Sequence, residues 1–566
     1  MNEKDYLTKS KDDIIKEVAE SIIAKYNRAH PPSIEKVKKD FLTIIKDEIK
    51  IHNIFADKDE RITPLKDLPT AVIALFMIAF QHVVKIDFSS SETYFSSIIG
   101  NADEFDELAD GEEYFENNET DNTLLAVYQP KIGIYTYNEE KIKKVIAKYN
   151  FNMSDKNMQD VIKKLNIFAP LVRRTSDPNL IPLKNGVFDF LSKKLMPYDP
   201  SYIFLNKSPI RYNPNAQNIT ITDQNGDWDF NSWISSLSDS TEVQTLLWEL
   251  ISIVLRPALC TSKIVFLYAE DGCNGKGTFL ELLRNLIGHS GTVSITLQQF
   301  GERFGLSKLP KANAVLVDEV STSGKVNDVS ALKALATQDL LTIERKYQDP
   351  VSMRIKVPVV FCINNLFFQS PDKTGSFSRR MLIIPFDHSF VGNARREIKD
   401  DFLARQEVLE YVMFRALNMN CTDFSEPNVC KALLHEFETY QSPVRVFAKF
   451  VLPKFEASPW KLFPYSYIYS IFKNYMERDF PRIKEIPCYQ DFIIEFKTYV
   501  KKNYSNKFCC KDNPVTTGHM MDGIMPLSIE FDLKNKDFLN TGYTGSDMNK
   551  RYIFTPKSSY RGMVQL

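Results

Sequence analysis

A short glycine-containing turn, EDGCNGKG (270–277), carries the clearest chemical signal in the chain. Turn amides and a following helix N-terminus are suited to hold phosphate oxygens, and Lys276 is placed to reach the β- and γ-phosphates of a nucleotide. Glu270 replaces the usual first glycine, and Gly277 stands where a hydroxyl is expected, one place before Thr278. Which hydroxyl faces the metal therefore stays open. The predicted nucleotide-binding residues are Gly272, Asn274, Gly275, Lys276, Gly277 and Thr278.

Acidic and amide side chains end the next apolar runs. NAVLVDEV (313–320) leads into Asp318 and Glu319, and VPVVFCINN (357–365) leads into Asn364. An acid at the end of such a strand holds Mg²⁺, and a second acid orients or deprotonates the attacking water. Asn364 is suited to sense the γ-phosphate or to position water. The simpler alternatives are an acidic turn and an asparagine turn after core strands.

Two adjacent arginines follow these motifs in the sequence. GSFSRR (375–380) precedes a further apolar run, and either Arg379 or Arg380 is placed to reach the nucleotide of a neighbouring subunit. The alternative is a surface ion pair. Because the loop, the acids, the asparagine and the arginines follow one another in this order, we interpret them together as one ATPase site. Its predicted catalytic residues are Glu319, Asp318, Asn364, Arg379 and Arg380.

A strand–turn–strand pattern lies between the acids and the asparagine. LTIERKY (341–347) and VSMRIKV (351–357) predict the strands, and QDP (348–350) predicts the turn. Cations on such a hairpin suit a phosphate backbone, with Lys346 expected at the tip, whereas the alternative is a solvated edge hairpin with protective lysines. The predicted DNA-binding residues are Arg345, Lys346, Arg354 and Lys356.

Local sequence also predicts the elements that must position the loop. KIVFLYA (263–269) is typical of a buried strand, and TFLELLRNLIG (278–288) is typical of an amphipathic helix that ends at a glycine. EVQTLLWELISIVLRP (242–257) predicts a long helix just before them. Strand, turn and helix in this order are the context in which a phosphate loop is expected.

These motifs resemble those of the superfamily III helicases, which are AAA+ ATPases of DNA viruses, phages and mobile elements. The nearest branch contains the poxvirus primase-helicase and the phage and plasmid primase-like proteins, with staphylococcal pathogenicity-island and cassette-chromosome replication proteins as the nearest group. The likeness covers about 125–390, although Phe367 stands where proline is usual. The similar segments are NGKGTF (274–279), VLVDE (315–319), LKALATQDLLTIERKY (332–347), CINNLF (362–367), SFSRRM (376–381) and, upstream, IPLKNGVFDFLSKKLMPYDP (181–200).

The resemblance implies a hexameric, ATP-driven DNA helicase that unwinds the origin or fork of a mobile element. ATP would bind between subunits with Mg²⁺, and the metal would be held by Asp318 and Thr278. The expected partners are single-stranded and forked DNA, further copies of the chain, and a separate primase or host replication polymerase. No primase activity is expected, because the region before the family-like part is mainly helical and too short for such a domain.

The fold class that we predict is α/β and multidomain. A helical N-terminal domain (1–110) precedes a mixed α/β family-specific domain (111–235), an AAA+ P-loop ATPase domain (236–430) and a C-terminal winged-helix-like DNA-binding domain (431–566). Ten acids and no base in 103–121 predict a solvated linker. Residues 441–512 contain thirteen Lys or Arg and seven Asp or Glu, which favours DNA binding, although the interleaved aromatic residues are expected mostly in the core.

Composition limits the other classes. The formal net charge is −1, so DNA contacts must come from local patches. The eight cysteines include no CxxC pair, which argues against zinc and against a disulfide framework. The run AVIALFMIAF (71–80) is too short to span a bilayer and predicts a buried helix, so we expect a cytoplasmic protein without a membrane partner.

Two other functions stay open at this stage. The first is an AAA+ ATPase that acts as an origin-binding switch or protein remodeller and does not unwind DNA. The second is a nucleotide or small-molecule kinase, which the GKGT sequence at 275–278 suggests. Kinases of that type are usually small, so the length of 566 residues disfavours this alternative.

Overall fold

The structure is a computed structural model. It describes residues 9–28, 30–88, 123–318, 328–346, 348–366, 368, 370, 372, 375–522, 527, 530, 543–547 and 556–566. Within these ranges, no helix combines the length and the apolar character needed to cross a membrane.

The first part of the chain packs helices on one side of a small sheet. The Ser10 hydroxyl accepts from the backbone N–H of Asp13, and the Asp13 carboxylate accepts from the backbone N–H of Ser10, so a capping box begins the first helix. The third helix is apolar and mostly buried, which confirms the prediction of a buried helix at 71–80. The elements are α1 (Lys11–Lys25), α2 (Ile34–Phe55), α3 (Thr70–Gln81), β1 (Val83–Asp87), β2 (Thr123–Gln129), β3 (Ile134–Thr136), α4 (Glu139–Tyr149), α5 (Asp155–Phe168) and β4 (Leu171–Arg173).

Strand pairing in this part crosses the domain boundary predicted at residue 110. β1 pairs antiparallel with β2 and parallel with β4, in the sheet order β3-β2-β1-β4. Helical residues from both sides of the boundary, such as Phe76 and Leu165, share one hydrophobic cluster. The described residues between 9 and 173 therefore pack around a common core. β1 is a strand that the helical interpretation of the first 110 residues did not include.

Two small antiparallel sheets come next in the chain. Aromatic side chains of this region, including Phe188 and Trp228, belong to the same hydrophobic cluster as one face of the large sheet described below. The region therefore packs directly against the large sheet. Its strands are β5 (Leu180–Leu183), β6 (Gly186–Asp189) and β7 (Lys194–Met196) in one sheet, and β8 (Ile221–Asp223) and β9 (Gly226–Trp228) in the other.

A five-stranded parallel sheet forms the centre of the molecule, in the order β11-β12-β15-β10-β16. Helices α7, α8 and α11 share a hydrophobic cluster with one face, and α9 and α12 with the other. Because both faces are covered, strands such as β10 and β16 are apolar throughout. The elements of this region are α6 (Phe230–Ser235), α7 (Thr241–Val254), β10 (Ile264–Tyr268), α8 (Lys276–Ile287), β11 (Thr292–Val293), β12 (Ala314–Val317), α9 (Ser330–Thr337), β13 (Leu340–Arg345), β14 (Gln348–Arg354), β15 (Val359–Ile363), β16 (Met381–Pro385), α10 (Arg396–Asp400), α11 (Gln406–Asn418) and α12 (Asn428–Gln441).

The hairpin of β13 and β14 confirms the predicted strand–turn–strand pattern but moves its turn. The register pairs Leu340 with Arg354 and Arg345 with Gln348, so the chain reverses between Arg345 and Gln348. The predicted turn at 348–350 is wrong, because these residues belong to β14. Pro350 is compatible with this position because the sheet has only two strands, and proline is tolerated at sheet edges.

The C-terminal part is a helical layer against a three-stranded antiparallel sheet in the order β17-β19-β18. Most of its aromatic side chains are buried in one cluster, as expected; Trp460, Phe472 and Phe492 are examples. The elements are α13 (Pro443–Glu456), β17 (Leu462–Pro464), α14 (Tyr465–Asp479), α15 (Tyr489–Asn503), β18 (Phe508–Thr516) and β19 (Ser559–Gln565).

Candidate nucleotide-binding site

The glycine-containing turn joins the carboxyl end of β10 to the first residue of α8, which is Lys276. Gly275 precedes the helix with a φ of +87°, in the left-handed region that glycine adopts without strain. The backbone carbonyl of Cys273 accepts from the N–H of Phe390 at 2.7 Å, and the Asn274 side chain donates to the carbonyl of Asp271. These bonds hold the turn in place before any ligand binds.

Gly275→Ala is expected to disturb this turn. A Cβ at position 275 would lie 2.7 Å from Cδ2 of Leu237, and the positive φ adds strain. We expect a loss of about 1–2 kcal/mol in the free energy of unfolding. We also expect roughly tenfold weaker ATP binding, measured by titration with a fluorescent ATP analogue.

Gly301→Ala, outside the turn, is the matched control for this change. The nearest heavy atom to a Cβ at position 301, Cβ of Asp328, would lie 3.5 Å away, which is an ordinary van der Waals distance, and Gly301 does not have a positive φ. The control is therefore expected to bind the analogue as the native protein does. Equal binding by both variants would show that the backbone at Gly275 does not shape the site.

Lys276 lies at the start of α8 with only 5% of its surface exposed. Its Nζ donates to the carbonyl of Ala269 at 3.3 Å, so the side chain points back across the turn. The next residue, Gly277, faces the acid of β12, since a Cβ at this position would lie 3.1 Å from Oδ1 of Asp318. The glycine that replaces the expected hydroxyl therefore leaves room for this carboxylate, and Thr278 follows it, half-buried, on the helix.

Asp318 follows the carboxyl end of β12, and its side chain is 50% exposed. Nη1 of Arg284, on α8, lies 3.5 Å from Oδ2 of Asp318 and also donates to Glu281 at 3.1 Å. Burial raises the pKa of the nearby Cys362 thiol to about 12, and the charge of Asp318 adds to this rise while that of Lys276 opposes it. Asp318 and Lys276 thus both lie close enough to the buried Cys362 thiol for their charges to affect its pKa. Glu319 lies outside the described residues.

Asn364 follows the carboxyl end of β15 and is exposed. β15 lies between β10 and β12, and the carbonyl of Ile363 accepts from the N–H of Ala269, which immediately precedes the turn, at 3.3 Å. The strand order therefore brings Lys276, Asp318 and Asn364 to one edge of the sheet. The carboxyl edge of a parallel sheet is where ligands bind in open α/β folds.

Arg379 and Arg380 lie at the opposite edge. They come directly before β16, which runs parallel to β10 with Met381 opposite Ile264. One strand length, about 13 Å, therefore separates them from the glycine-containing turn of the same chain (residues 270–277, called the phosphate turn below). Arg379 is exposed, whereas Arg380 is half-buried and its Nη1 donates to the carbonyl of Ser376 at 2.6 Å.

The four predicted DNA-binding cations occupy the two ends of the hairpin. Lys346 is exposed in the turn, beside Arg345 at the end of β13. Arg354 lies at the base, where Nη1 donates to the carbonyl of Gln338 at 3.1 Å, and Lys356 follows β14. About 17 Å of strand separates the tip from the base, so the four cations do not form one cluster.

Arg284 neighbours Asp318, although no sequence pattern assigned it to this site. Its position in the sequence could have identified it, because Arg284 is the only Lys or Arg after Lys276 in α8. Of the groups present, the Asp318 carboxylate and the Thr278 hydroxyl are oxygen donors of the kind that Mg²⁺ prefers, and Mg²⁺ usually keeps several waters as further ligands. The residues present therefore fit a magnesium–nucleotide ligand.

Two family models match the chain. One, described as "D5 N terminal like", matches residues 96–237, and the other, described as "Family of unknown function (DUF5906)", matches residues 267–380. The first match includes segment 181–200, and the second includes the phosphate turn, the hairpin and both arginines. The first match supports, for this part of the chain, the resemblance to the branch that contains the poxvirus primase-helicase.

Solved structures of the NrS-1 C-terminal region match this chain at low sequence identity. "The A form apo structure of NrS-1 C terminal region-CTR" has 14% identity and a TM-score of 0.39, and the match covers 66% of this chain and 81% of that chain. "The apo structure of NrS-1 C terminal region (305-718)" has 13% identity and a TM-score of 0.40, and the match covers 67% and 81%. The chain itself is a mixed α/β protein with a parallel five-stranded sheet, consistent with a P-loop ATPase core.

Proposed function

We propose that this protein is a hexameric, ATP-driven DNA helicase of a mobile genetic element, acting at a replication origin or fork. One observation carries the proposal: the phosphate turn, the acid and the asparagine share the carboxyl edge of a parallel sheet, while two arginines lie at the other edge. The match to a model described as "D5 N terminal like" supports a viral type of replicative helicase, since the poxvirus primase-helicase belongs to this branch.

ATP and Mg²⁺ are the proposed ligands of the site. The amides at the start of α8 and the Lys276 ammonium would hold the phosphates, and Asp318 and Thr278 would face the metal. Bound Mg²⁺ would neutralise phosphate charge, and Asp318 would exchange its Arg284 neighbour for the cation. Glu319 and Asn364 are proposed to orient the attacking water, so that hydrolysis depends on positioning and charge neutralisation.

The separation of the two edges supports a shared site. An arginine about one strand length from its own phosphate turn is better placed to reach the nucleotide of an adjacent copy. We therefore propose that Arg379 or Arg380 completes the site of the next subunit in an AAA+ ring. Of the two, Arg379 has the exposed side chain, which favours it for this contact.

Two surfaces are proposed to contact DNA. The first is the hairpin tip with Lys346, which is exposed and projects beyond the paired strands. The second is the C-terminal part, whose described elements follow the order helix, strand, two helices and two strands, which supports the proposal of a winged-helix module. In that interpretation α15 is the groove-reading helix, and it presents exposed Lys501 and Lys502 at its end.

Unwinding of a labelled forked DNA tests the function. With ATP and Mg²⁺, the native protein is expected to separate the strands, and Glu319→Gln is expected to lose this activity because the water-positioning acid is gone. Hydrolysis of ATP that does not respond to DNA, without strand separation, would replace the helicase by the protein remodeller. If neither ATP hydrolysis nor strand separation is detected, the proposed ATPase activity is wrong.

Lys346→Ala is expected to lower the unwinding rate by roughly tenfold, because a phosphate contact at the hairpin tip is lost. The rate is measured by fluorescence on the same forked DNA at fixed salt. Lys16→Ala, which removes a lysine with 71% side-chain exposure from α1, serves as the matched control. If the two variants unwind DNA equally fast, the hairpin tip is not a DNA contact.

A further inference from the structure

Glu270, the residue that replaces the usual glycine at the start of the phosphate turn, has two polar partners, Arg482 and Tyr268. Its carboxylate accepts hydrogen bonds from Arg482 and from the Tyr268 hydroxyl, the latter at 3.2 Å. Arg482 also donates to the Tyr268 hydroxyl. Burial raises the pKa of this phenol to about 12, so near neutral pH it keeps the proton that it donates to Glu270. Glu270 departs from the expected motif, and in this structure it makes specific contacts with Arg482 and Tyr268.

Arg482 brings three parts of the chain together. It lies in the connection between α14 and α15 of the C-terminal part, and its Nη1 is 3.3 Å from Oε2 of Glu436 on α12. The exposed fractions are 38% for Arg482, 60% for Glu270 and 17% for Glu436. One guanidinium thus joins the phosphate turn to α12 and to the connection that leads into the proposed groove-reading helix.

Helix α12 extends this connection to the opposite edge of the sheet. Glu438, two residues after Glu436, accepts from the Ser378 hydroxyl at 2.7 Å, beside Arg379. Gln441 of the same helix donates to the carbonyl of Phe368 at 2.6 Å. A displacement of Arg482 would therefore disturb α12, and α12 also contacts Ser378, next to Arg379.

The charges explain why Glu270 needs a cation. A carboxylate at the mouth of a phosphate site repels a triphosphate unless a positive charge neutralises it. Burial raises the pKa of the Glu436 carboxyl, the charge of Arg482 opposes this rise, and the charge of Glu270 adds to it. Without Arg482, two carboxylates would face each other next to the turn.

We propose that Arg482 is a positioning residue that neutralises Glu270 and so links the C-terminal part to the affinity of the phosphate turn for ATP. The inference rests on the proposed function, since it assumes that this turn binds ATP. DNA that engages α15 acts on the adjacent connection and changes the contact between Arg482 and Glu270. DNA binding and ATP binding are therefore coupled through this ion pair.

Equilibrium binding of a fluorescent ATP analogue with Mg²⁺, with and without forked DNA, tests the link. Arg482→Gln is expected to weaken binding about fivefold and to remove the effect of DNA on it. The double variant Glu270→Gln/Arg482→Gln is expected to regain near-native affinity, because the repelling carboxylate is gone, while the response to DNA stays lost. A purely structural role of Arg482 would not allow this rescue.

Arg478→Gln is the matched control, because Arg478 lies in α14 and pairs with Asp479 and not with the phosphate turn. It is expected to bind the analogue and respond to DNA as the native protein does. Arg482→Gln that behaves like this control, or a double variant as weak as Arg482→Gln, overturns the link while leaving the proposed function intact. A native protein that does not bind the analogue overturns both.

Discussion

Replacing Lys276 by methionine is expected to lower the rate of ATP hydrolysis by at least about a hundredfold. Methionine keeps the apolar stem of this buried side chain and removes its charge. The ammonium is the cation that the start of α8 places at the phosphate turn, and its loss leaves the charge that develops on the phosphates without this partner. Steady-state release of phosphate with ATP and Mg²⁺ measures the effect, and analogue binding shows how much of it is lost affinity.

The thermal unfolding temperature separates chemistry from folding in this experiment. Because Lys276→Met retains the buried volume, we expect the variant to unfold cooperatively close to the native temperature. A folded variant that hydrolyses ATP within about threefold of the native rate would show that the turn is not the phosphate site. The nucleotide would then have to bind elsewhere in the chain.

Mixing two inactive variants is expected to restore activity. Lys276→Met lacks the phosphate cation but keeps its arginines, and a variant without both Arg379 and Arg380 keeps the phosphate turn. Each alone is expected to be inactive. In randomly mixed rings with equal amounts of both, about a quarter of the interfaces combine an intact turn with an intact arginine segment, so about a quarter of the native hydrolysis rate should return.

Two controls complete the mixing experiment. Each variant mixed with itself at the same total concentration must stay inactive, and the single changes Arg379→Ala and Arg380→Ala show which arginine acts. We expect Arg379→Ala to have the larger effect, since Arg380 is engaged with the carbonyl of Ser376. If the mixture stays as inactive as its components, the site is not shared between copies.

Local pattern was sufficient to predict the strand, turn and helix around Lys276, because 263–288 contains the apolar spacing, the glycines and the helix end within one short segment. The hairpin was predicted for the same reason. The turn was predicted a few residues too late in the chain because QDP (348–350) is a strong turn signal. The observed register instead follows the burial of Ile343 and Val351. Register depends on packing partners that the sequence of a hairpin does not specify.

The remaining features depend on distant parts of the chain. β1 was missed because its partners, β2 and β4, come later in the sequence. The position of Arg379 at the edge opposite Lys276 follows from the parallel pairing of β16 with β10, which no local pattern encodes. Glu270 was interpreted as a departure from a motif because Arg482, which explains it, lies more than two hundred residues away.

The placement of the arginines at the far edge of the sheet also has a consequence for kinetic order. Under the proposed function, each chain carries half of two different sites and has no complete site when it is alone, so dilution below the assembly concentration removes turnover even though every molecule is correctly folded. The rate per chain then rises with protein concentration until rings are complete.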